Sequence, residues 1–236
     1  MGWFHGRTAL VTGGGSGIGR AIALELAAAG CRVAVCGRRE QPLSAVAEAA
    51  PGAKALVVDV RDAHAVFAAV ETVVAEFGQL DLLVNNAGVF VSRPFAETEI
   101  ETFDDVIATN LRGPFLFAQA AWPHLAAMKG QVAMISSIAA MRAFPGSSAY
   151  CASKFGLNGL AAVLGLEGAE HGIRVVTVCP GAVDTEVWAG LADDEARSRM
   201  IRPEEVARIT LSLLAADRAV GFEPLAIDNS KPPFNS

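Results

Sequence analysis

Six short apolar runs alternate with helix-patterned stretches along this chain, and that alternation leaves few folds open to it. The runs are Thr8-Ala-Leu-Val-Thr12, Arg32-Val-Ala-Val-Cys36, Ala55-Leu-Val-Val-Asp59, Leu80 to Asn85, Gln131 to Ser136 and Ile173 to Cys179. Such continuous runs fit strands buried on both faces, as in a parallel sheet. Between them lie helical patterns such as Gly17 to Ala29, closed by Gly30, and Ala63 to Phe77, closed by Gly78. Glycine there supplies the left-handed residue that ends a helix. Strands alternating with helices build right-handed βαβ units. The predicted architecture is a single α/β domain over residues 1–236, a doubly wound parallel sheet of six to seven strands flanked by helices. Arg202-Pro-Glu-Glu opens a late helix with Pro inside its first turn. Phe222 to Asp228, which contains Pro224, is the candidate seventh strand, at an edge. The polar, Pro-rich tail from Asn229 to Ser236 is expected to run over the surface.

Bulk chemistry narrows the partners. The chain is 52% hydrophobic but only 7% aromatic, which suits helices packed closely on a Val-rich sheet. A net charge of −6 without basic runs argues against nucleic acid or an anionic membrane as partner. Cys31, Cys36, Cys151 and Cys179 form no C-x-x-C, and His5, His64, His124 and His171 are dispersed, so buried reduced thiols and no metal site are expected. No run reaches eighteen apolar residues and no signal-peptide pattern opens the chain, which predicts a cytoplasmic protein.

The first strand runs into Thr12-Gly-Gly-Gly-Ser-Gly-Ile-Gly19 and then directly into a helix. Gly13, Gly17 and Gly19, with Ser16 and Ile18 among them, let the backbone approach a pyrophosphate while the helix N-terminus presents unpaired N–H groups. No Lys-Ser/Thr pair follows the glycines, so this is not a Walker loop. Further on, Tyr150-Cys-Ala-Ser-Lys154 places a phenol and an ammonium about one turn apart on one helical face. A phenol of pKa ~10 relays protons poorly at neutral pH, and a neighbouring cation is expected to lower that value. Ser137 ends the fifth run thirteen positions before Tyr150, with Ser136 as its alternative.

Taken together, Thr12-Gly-x-x-x-Gly-x-Gly19, Asn85-Asn-Ala-Gly88, Asn110, Ser137, Tyr150-x-x-x-Lys154 and Pro180-Gly181 resemble, in order and spacing, the short-chain dehydrogenase/reductase family, over about residues 5 to 216. The resemblance implies a Rossmann-type nicotinamide-dependent oxidoreductase acting on a hydroxyl or carbonyl, assembled as a homotetramer or homodimer. By the same resemblance Tyr150 is the general acid/base. Lys154 holds ribose hydroxyls and depresses the Tyr150 pKa, and Ser137 hydrogen-bonds the substrate oxygen. Asn110, in a long helix, anchors a water that relays protons to Lys154. Asn86, Ala87 and Gly88 accommodate the adenosine ribose. Pro180, Gly181 and Val183 line the nicotinamide, with Thr185 near its carboxamide or the phosphates, and Asp59-Val60 contacts the adenine. The alternative for Asp59 is a plain cap of the next helix.

The second strand ends in Gly37-Arg38-Arg39, where an acid would bind the adenosine 2′-hydroxyl and an arginine would accommodate a 2′-phosphate. NADP(H) is therefore the expected cofactor, with NAD(H) possible. Phe90, Phe95, Met141, Phe144 and Trp188 flank the motifs and would make a largely apolar pocket for a small carbonyl or alcohol substrate. Arg197, Arg199 and Arg202 leave room for an acidic acyl carrier, hence for a 3-oxoacyl-carrier-protein reductase. A catalytically silent dinucleotide-sensing regulator and a sugar-nucleotide epimerase are the readings outside this class. The segment Ala226-Ile-Asp-Asn-Ser230 departs from the family's Asp-Gly-Gly turn, at an end where subunit contacts and pocket closure are expected.

Overall fold

The computed structural model describes residues 2–233, so residues 234–236 of the expected tail lie outside it. Seven parallel strands form one sheet in the order β3-β2-β1-β4-β5-β6-β7. They are β1 (Thr8–Thr12), β2 (Arg32–Gly37), β3 (Lys54–Val57), β4 (Leu82–Asn85), β5 (Gln131–Ile135), β6 (Arg174–Pro180) and β7 (Leu225–Ile227). The expected edge strand is present, but it is only three residues long and mostly exposed.

Side chains two apart on a strand share a face, and this period divides the core in two. Ala9, Val11, Val33, Val35, Leu82, Val84, Ala133 and Ile135 face one core. There they meet helices α1 (Gly17–Ala28), α2 (Glu40–Ala49) and, later in the chain, α8 (Pro203–Ala215). Leu10, Ala34, Cys36, Leu83, Val132 and Met134 face the other. That side is covered by α3 (Ala63–Phe77), α5 (Gly113–Met128) and α6 (Ser148–Glu170). Both faces being covered explains why the strands read as unbroken apolar runs.

The strand order reverses between β1 and β4, which leaves a crevice at the carboxyl ends of the strands. Asp62 caps α3, accepting from the N–H groups of His64 and Ala65 at 2.9 and 3.2 Å, so the cap is not Asp59. Helix α4 (Ile100–Ile107) runs into α5 through one π-type turn, Ala108–Arg112, rather than through regular helix. Such turns concentrate at functional sites, and this one carries Asn110. After β6 come a short 3₁₀ turn (Glu186–Trp188) and α7 (Asp194–Ser198).

Candidate active site

A threonine hydroxyl holds the crevice together. Thr12 Oγ1 accepts from the backbone N–H groups of Asn86 and Ala87, both at 3.0 Å, and donates to the Val84 carbonyl at 3.3 Å. The Asn86 amide returns the contact, donating to the carbonyls of Thr12 (2.9 Å) and Gly13 (3.3 Å). The ends of β1 and β4 are thereby locked side by side. A β-carbon on Gly19 would sit 2.3 Å from Asn86 Nδ2 and 2.4 Å from the Gly13 carbonyl oxygen, and one on Gly13 2.9 Å from Ala87 Cα. Only glycine fits this close approach. Ser16 starts α1 without a side-chain cap, which leaves the first N–H groups of the helix open toward the cleft. An exposed backbone cradle at a positive helix end fits a dinucleotide pyrophosphate.

The cleft has two lobes. One is lined by Gly13, Ser16, Gly37, Arg38, Arg39, Asp59, Val60, Ala87, Gly88, Val89 and Thr109. Ile18, Asn86, Phe90, Ser136, Tyr150, Lys154, Thr185, Glu186 and Val187 line the other, together with Gly17 and parts of the same shelf. In the first lobe the arginines differ. Arg39 Nη2 donates to Glu186 Oε2 at 2.8 Å and to Ser16 Oγ at 3.3 Å, whereas Arg38 has no ion pair among the described residues. Asp59 is held by Arg61, whose guanidinium donates to both carboxylate oxygens at 2.7 to 3.1 Å. The hydrogen bonds from Arg61 hold the Asp59 carboxyl below its ordinary value. Arg61 was not singled out in the sequence, although an i,i+2 Asp-x-Arg pair after a strand was there to be read.

In the second lobe Lys154 is buried and donates to the Ile135 carbonyl at 3.0 Å; its nitrogen lies 5.7 Å from the centre of the Tyr150 ring. Burial pulls its pKa down to about 8. Burial also dominates at Tyr150, pushing the phenol up, against a hydrogen bond with Ser137 that lowers it. The expected lowering of the Tyr150 pKa by Lys154 does not appear: burial raises it, and the group that pulls it down is Ser137. Ser137 Oγ accepts from the Ala139 N–H at 3.1 Å and makes only a long contact, 3.4 Å, to the Pro180 carbonyl. Its single proton can thus turn toward the phenol. Asn110 is wholly buried, and its side-chain amide grips Val89 by both backbone groups, at 2.8 and 2.9 Å.

Other expected contacts fall differently. Val183 is buried in the core, and Pro180 and Gly181 face the tail, where the Gly181 N–H donates to the Ile227 carbonyl at 2.7 Å. Asn229 ties that tail down, accepting from the Ala182 N–H and donating to its carbonyl, both at 2.9 Å. Thr185 stands over the glycine loop, so that a β-carbon on Gly17 would meet its Cγ2 at 2.9 Å. Of the aromatic set, Phe90 packs edge-on to Tyr150 with centroids 5.0 Å apart, and Trp188 lies 5.5 Å from Phe90. Phe95 is 82% exposed on a 3₁₀ turn, and neither it, Met141 nor Phe144 lines either lobe. A surface Phe in a loop carries no signal that separates it from a pocket wall.

With this geometry in view, residues 7–196 match the family described as short chain dehydrogenase. The chain belongs to the short-chain dehydrogenase family. Named relatives are oxidoreductases of alcohol or carbonyl groups. A D-threitol dehydrogenase from Mycolicibacterium smegmatis is 39% identical over 228 residues, covering 91% of this chain and 87% of that protein. A 3-oxoacyl-[acyl-carrier-protein] reductase from Staphylococcus aureus is 37% identical over 227 residues, covering 90% and 92%. An alcohol dehydrogenase from the archaeon Thermococcus sibiricus, solved in complex with 5-hydroxy-NADP, superposes with a TM-score of 0.87 at 27% identity, covering 94% and 95%. As a short-chain dehydrogenase, the protein is an oxidoreductase of the NAD(P)-using kind, and its fold is that of the solved neighbour.

Proposed function

We propose that this short-chain dehydrogenase interconverts a carbonyl and a secondary alcohol on a small, largely apolar substrate, with NADP(H) as cofactor and Tyr150 as acid/base. The observation that carries the reading is the convergence of Tyr150, Lys154 and the Ser16–Ile18 loop on one lobe of the cleft. A nicotinamide bound in the cleft would supply or accept the hydride. The Tyr150 hydroxyl gives a proton to the carbonyl oxygen, or takes one from the alcohol. Its raised pKa keeps it protonated, which suits it as the acid of a reduction. Ser137 donates to the same oxygen as charge develops there. Lys154 spends one donor on Ile135 and keeps two for ribose hydroxyls. The Asn110 amide is committed to Val89, so its part is to hold the shelf rather than to aim a water with that amide.

NADP(H) is favoured over NAD(H) by Arg38 beside Gly37, which makes no ion pair among the described residues, and by the NADP derivative in the archaeal neighbour. Phe90 and Val187 line the substrate end and Trp188 backs Phe90. Apolar walls of this kind leave the polar groups of a sugar or dicarboxylate unpaired, at roughly 1–3 kcal/mol each. The carrier-protein reading loses two of its three arginines, because Arg197 pairs with Asp184 and Arg199 with Glu195. Self-association as a homodimer or homotetramer is supported by exposed apolar side chains on α4 to α6, among them Phe103, Phe115, Phe155 and Leu166. No helix of the described residues is long and apolar enough to cross a membrane, which agrees with the proposed cytoplasmic setting.

The test is NADPH oxidation at 340 nm against aliphatic and aromatic ketones, a tetrose, a dicarboxylate and an acyl-carrier thioester, with Tyr150→Phe in parallel. Apolar ketones should turn over fastest, and Tyr150→Phe should lose about 10²–10⁴-fold in turnover with NADPH binding kept. A tetrose as the best substrate by kcat/KM would replace the apolar reading with the polyol chemistry named for the mycobacterial relative. No turnover of any carbonyl, with NADPH still bound, would favour a silent sensor.

A further inference from the structure

Ser153 is wholly buried on α6, three residues after Tyr150 and one before Lys154. Its hydroxyl donates to the Tyr150 carbonyl at 2.7 Å and accepts from Asn110 Nδ2 at 3.1 Å. A serine that only back-bonds to its own helix is neutral or mildly unfavourable there. This one also receives a bond from another element, so its oxygen joins the π-type turn to the turn of helix that carries Tyr150. Asn110 in turn fixes Val89, and the next residue, Phe90, packs edge-on against the Tyr150 ring. The contacts close on themselves: Tyr150 backbone, Ser153, Asn110, Val89, Phe90 and back to the Tyr150 ring.

We propose that Ser153 is a positioning residue, which sets the place of Tyr150 relative to the Gly88–Val89 shelf through Asn110. Removing its hydroxyl strands the Asn110 Nδ2–H in a site without solvent, where an unmade hydrogen bond is costly. Asn110 then turns to find a partner, and Val89 and Phe90 move with it. The phenol oxygen and a substrate lying on the shelf lose their common reference. The proposal rests on the assignment of Tyr150 as acid/base.

The experiment compares S153A, S153T and Tyr150→Phe with wild type in kcat, KM, NADPH dissociation constant, melting temperature and the primary isotope effect with deuterated NADPH. Expected for S153A is a kcat lower by roughly 10- to 100-fold, as for a displacement of about 1 Å at a reacting group. NADPH affinity should stay within about 3-fold, and the isotope effect should rise as the chemical step becomes limiting. S153T, which keeps a hydroxyl able to bond the carbonyl three residues back, should recover most of kcat. A purely structural role would lower the melting temperature without raising the isotope effect, and that result overturns the proposal. Wild-type kcat in S153A overturns it while leaving the Tyr150 assignment intact, provided Tyr150→Phe is inactive. An active Tyr150→Phe removes both. If S153A does not fold, S153C, a weaker donor of similar shape, should be slowed ~3- to 10-fold, and full kcat in folded S153C overturns the proposal.

Discussion

Arg39 reaches across the mouth of the cleft to Glu186, Nη2 to Oε2 at 2.8 Å, and joins the end of β2 to the loop after β6. Arg38, one residue earlier, makes no ion pair among the described residues and is the side chain proposed to meet a 2′-phosphate. Arg38→Leu should therefore weaken NADPH by about 10- to 100-fold, the worth of one charge-assisted hydrogen bond at roughly 1.4 kcal/mol per decade. NADH should be unaffected, and Arg39→Leu should change the NADPH constant less than Arg38→Leu does. A β-carbon on Gly37 meets nothing closer than Leu43 Cδ2 at 3.8 Å, so Gly37→Asp with Arg38→Leu should fold and reverse the preference. Calorimetric titration of both cofactors decides; equal NADPH and NADH constants in the wild type sink the claim.

Thr12→Val keeps the side-chain shape and removes the oxygen that two N–H groups share. Two unsatisfied donors cost roughly 2–5 kcal/mol together. For a chain of this size the melting temperature should fall by about 5–15 °C. A thermal melt that leaves Thr12→Val within a degree or two of wild type would show that water or a rearranged loop replaces the hydroxyl.

Lys154 gives a signature in pH. Its pKa is about 8 in the folded protein against an ordinary 10.5. Below pH 8 both states carry the proton. Between the two values the unfolded chain keeps it and the native one does not, so this group favours folding more as pH rises. Cys31 and Cys36, pushed up to about 12 by burial, act in the opposite sense above their ordinary value of 9.0. The clean measurement is the stability of wild type minus that of Lys154→Met. It should climb by about 3 kcal/mol from pH 8 to 10.5. A flat difference across that window is the contrary result.

Trp188 lies behind Phe90 rather than in the wall itself. Trp188→Ala should raise KM for bulky apolar ketones several-fold more than for small ones, since a methylene-scale change in a pocket is worth ~10-fold or more. A uniform change across ketone sizes in steady-state kinetics would place Trp188 outside substrate selection.

The sheet was legible because its strands are buried on both faces and read as unbroken apolar runs. The Gly13 to Gly19 loop and the Tyr150 and Lys154 spacing were legible because each is a short-range pattern imposed by one turn or one helix. What escaped depends on distance or on depth. Arg39 and Glu186 are 147 residues apart in sequence, and no local pattern pairs them. Asp59 was the candidate cap of α3, but the helix starts later and Asp62 caps it. The direction of the Tyr150 pKa turned on burial, which four-residue spacing does not report. Phe95 and Phe90 are both aromatics in one loop, and only the course of the backbone sends one inward.

The seam closed by Thr12 has a consequence for how the molecule comes together. Strands β1 to β3 lie within the first 57 residues and β4 to β7 after residue 81, so each half of the sheet is contiguous in sequence. Among the described strands the β1–β4 pairing alone joins them, with Leu10 opposite Leu83, while α1 packs on α8 and α3 on α5 across the same division. Contacts of that span are made late, because loop closure must be met before they reward it. Residues from both halves line the cleft, so it exists only once the halves have docked. A molecule gripped from both sides binds the docked chain and not the open one, and at 100 times its dissociation constant it holds the halves together by about 2.7 kcal/mol. Cofactor supply should thereby set how long a weakened seam survives, a dependence that melting temperatures of Thr12→Val with and without NADPH would read.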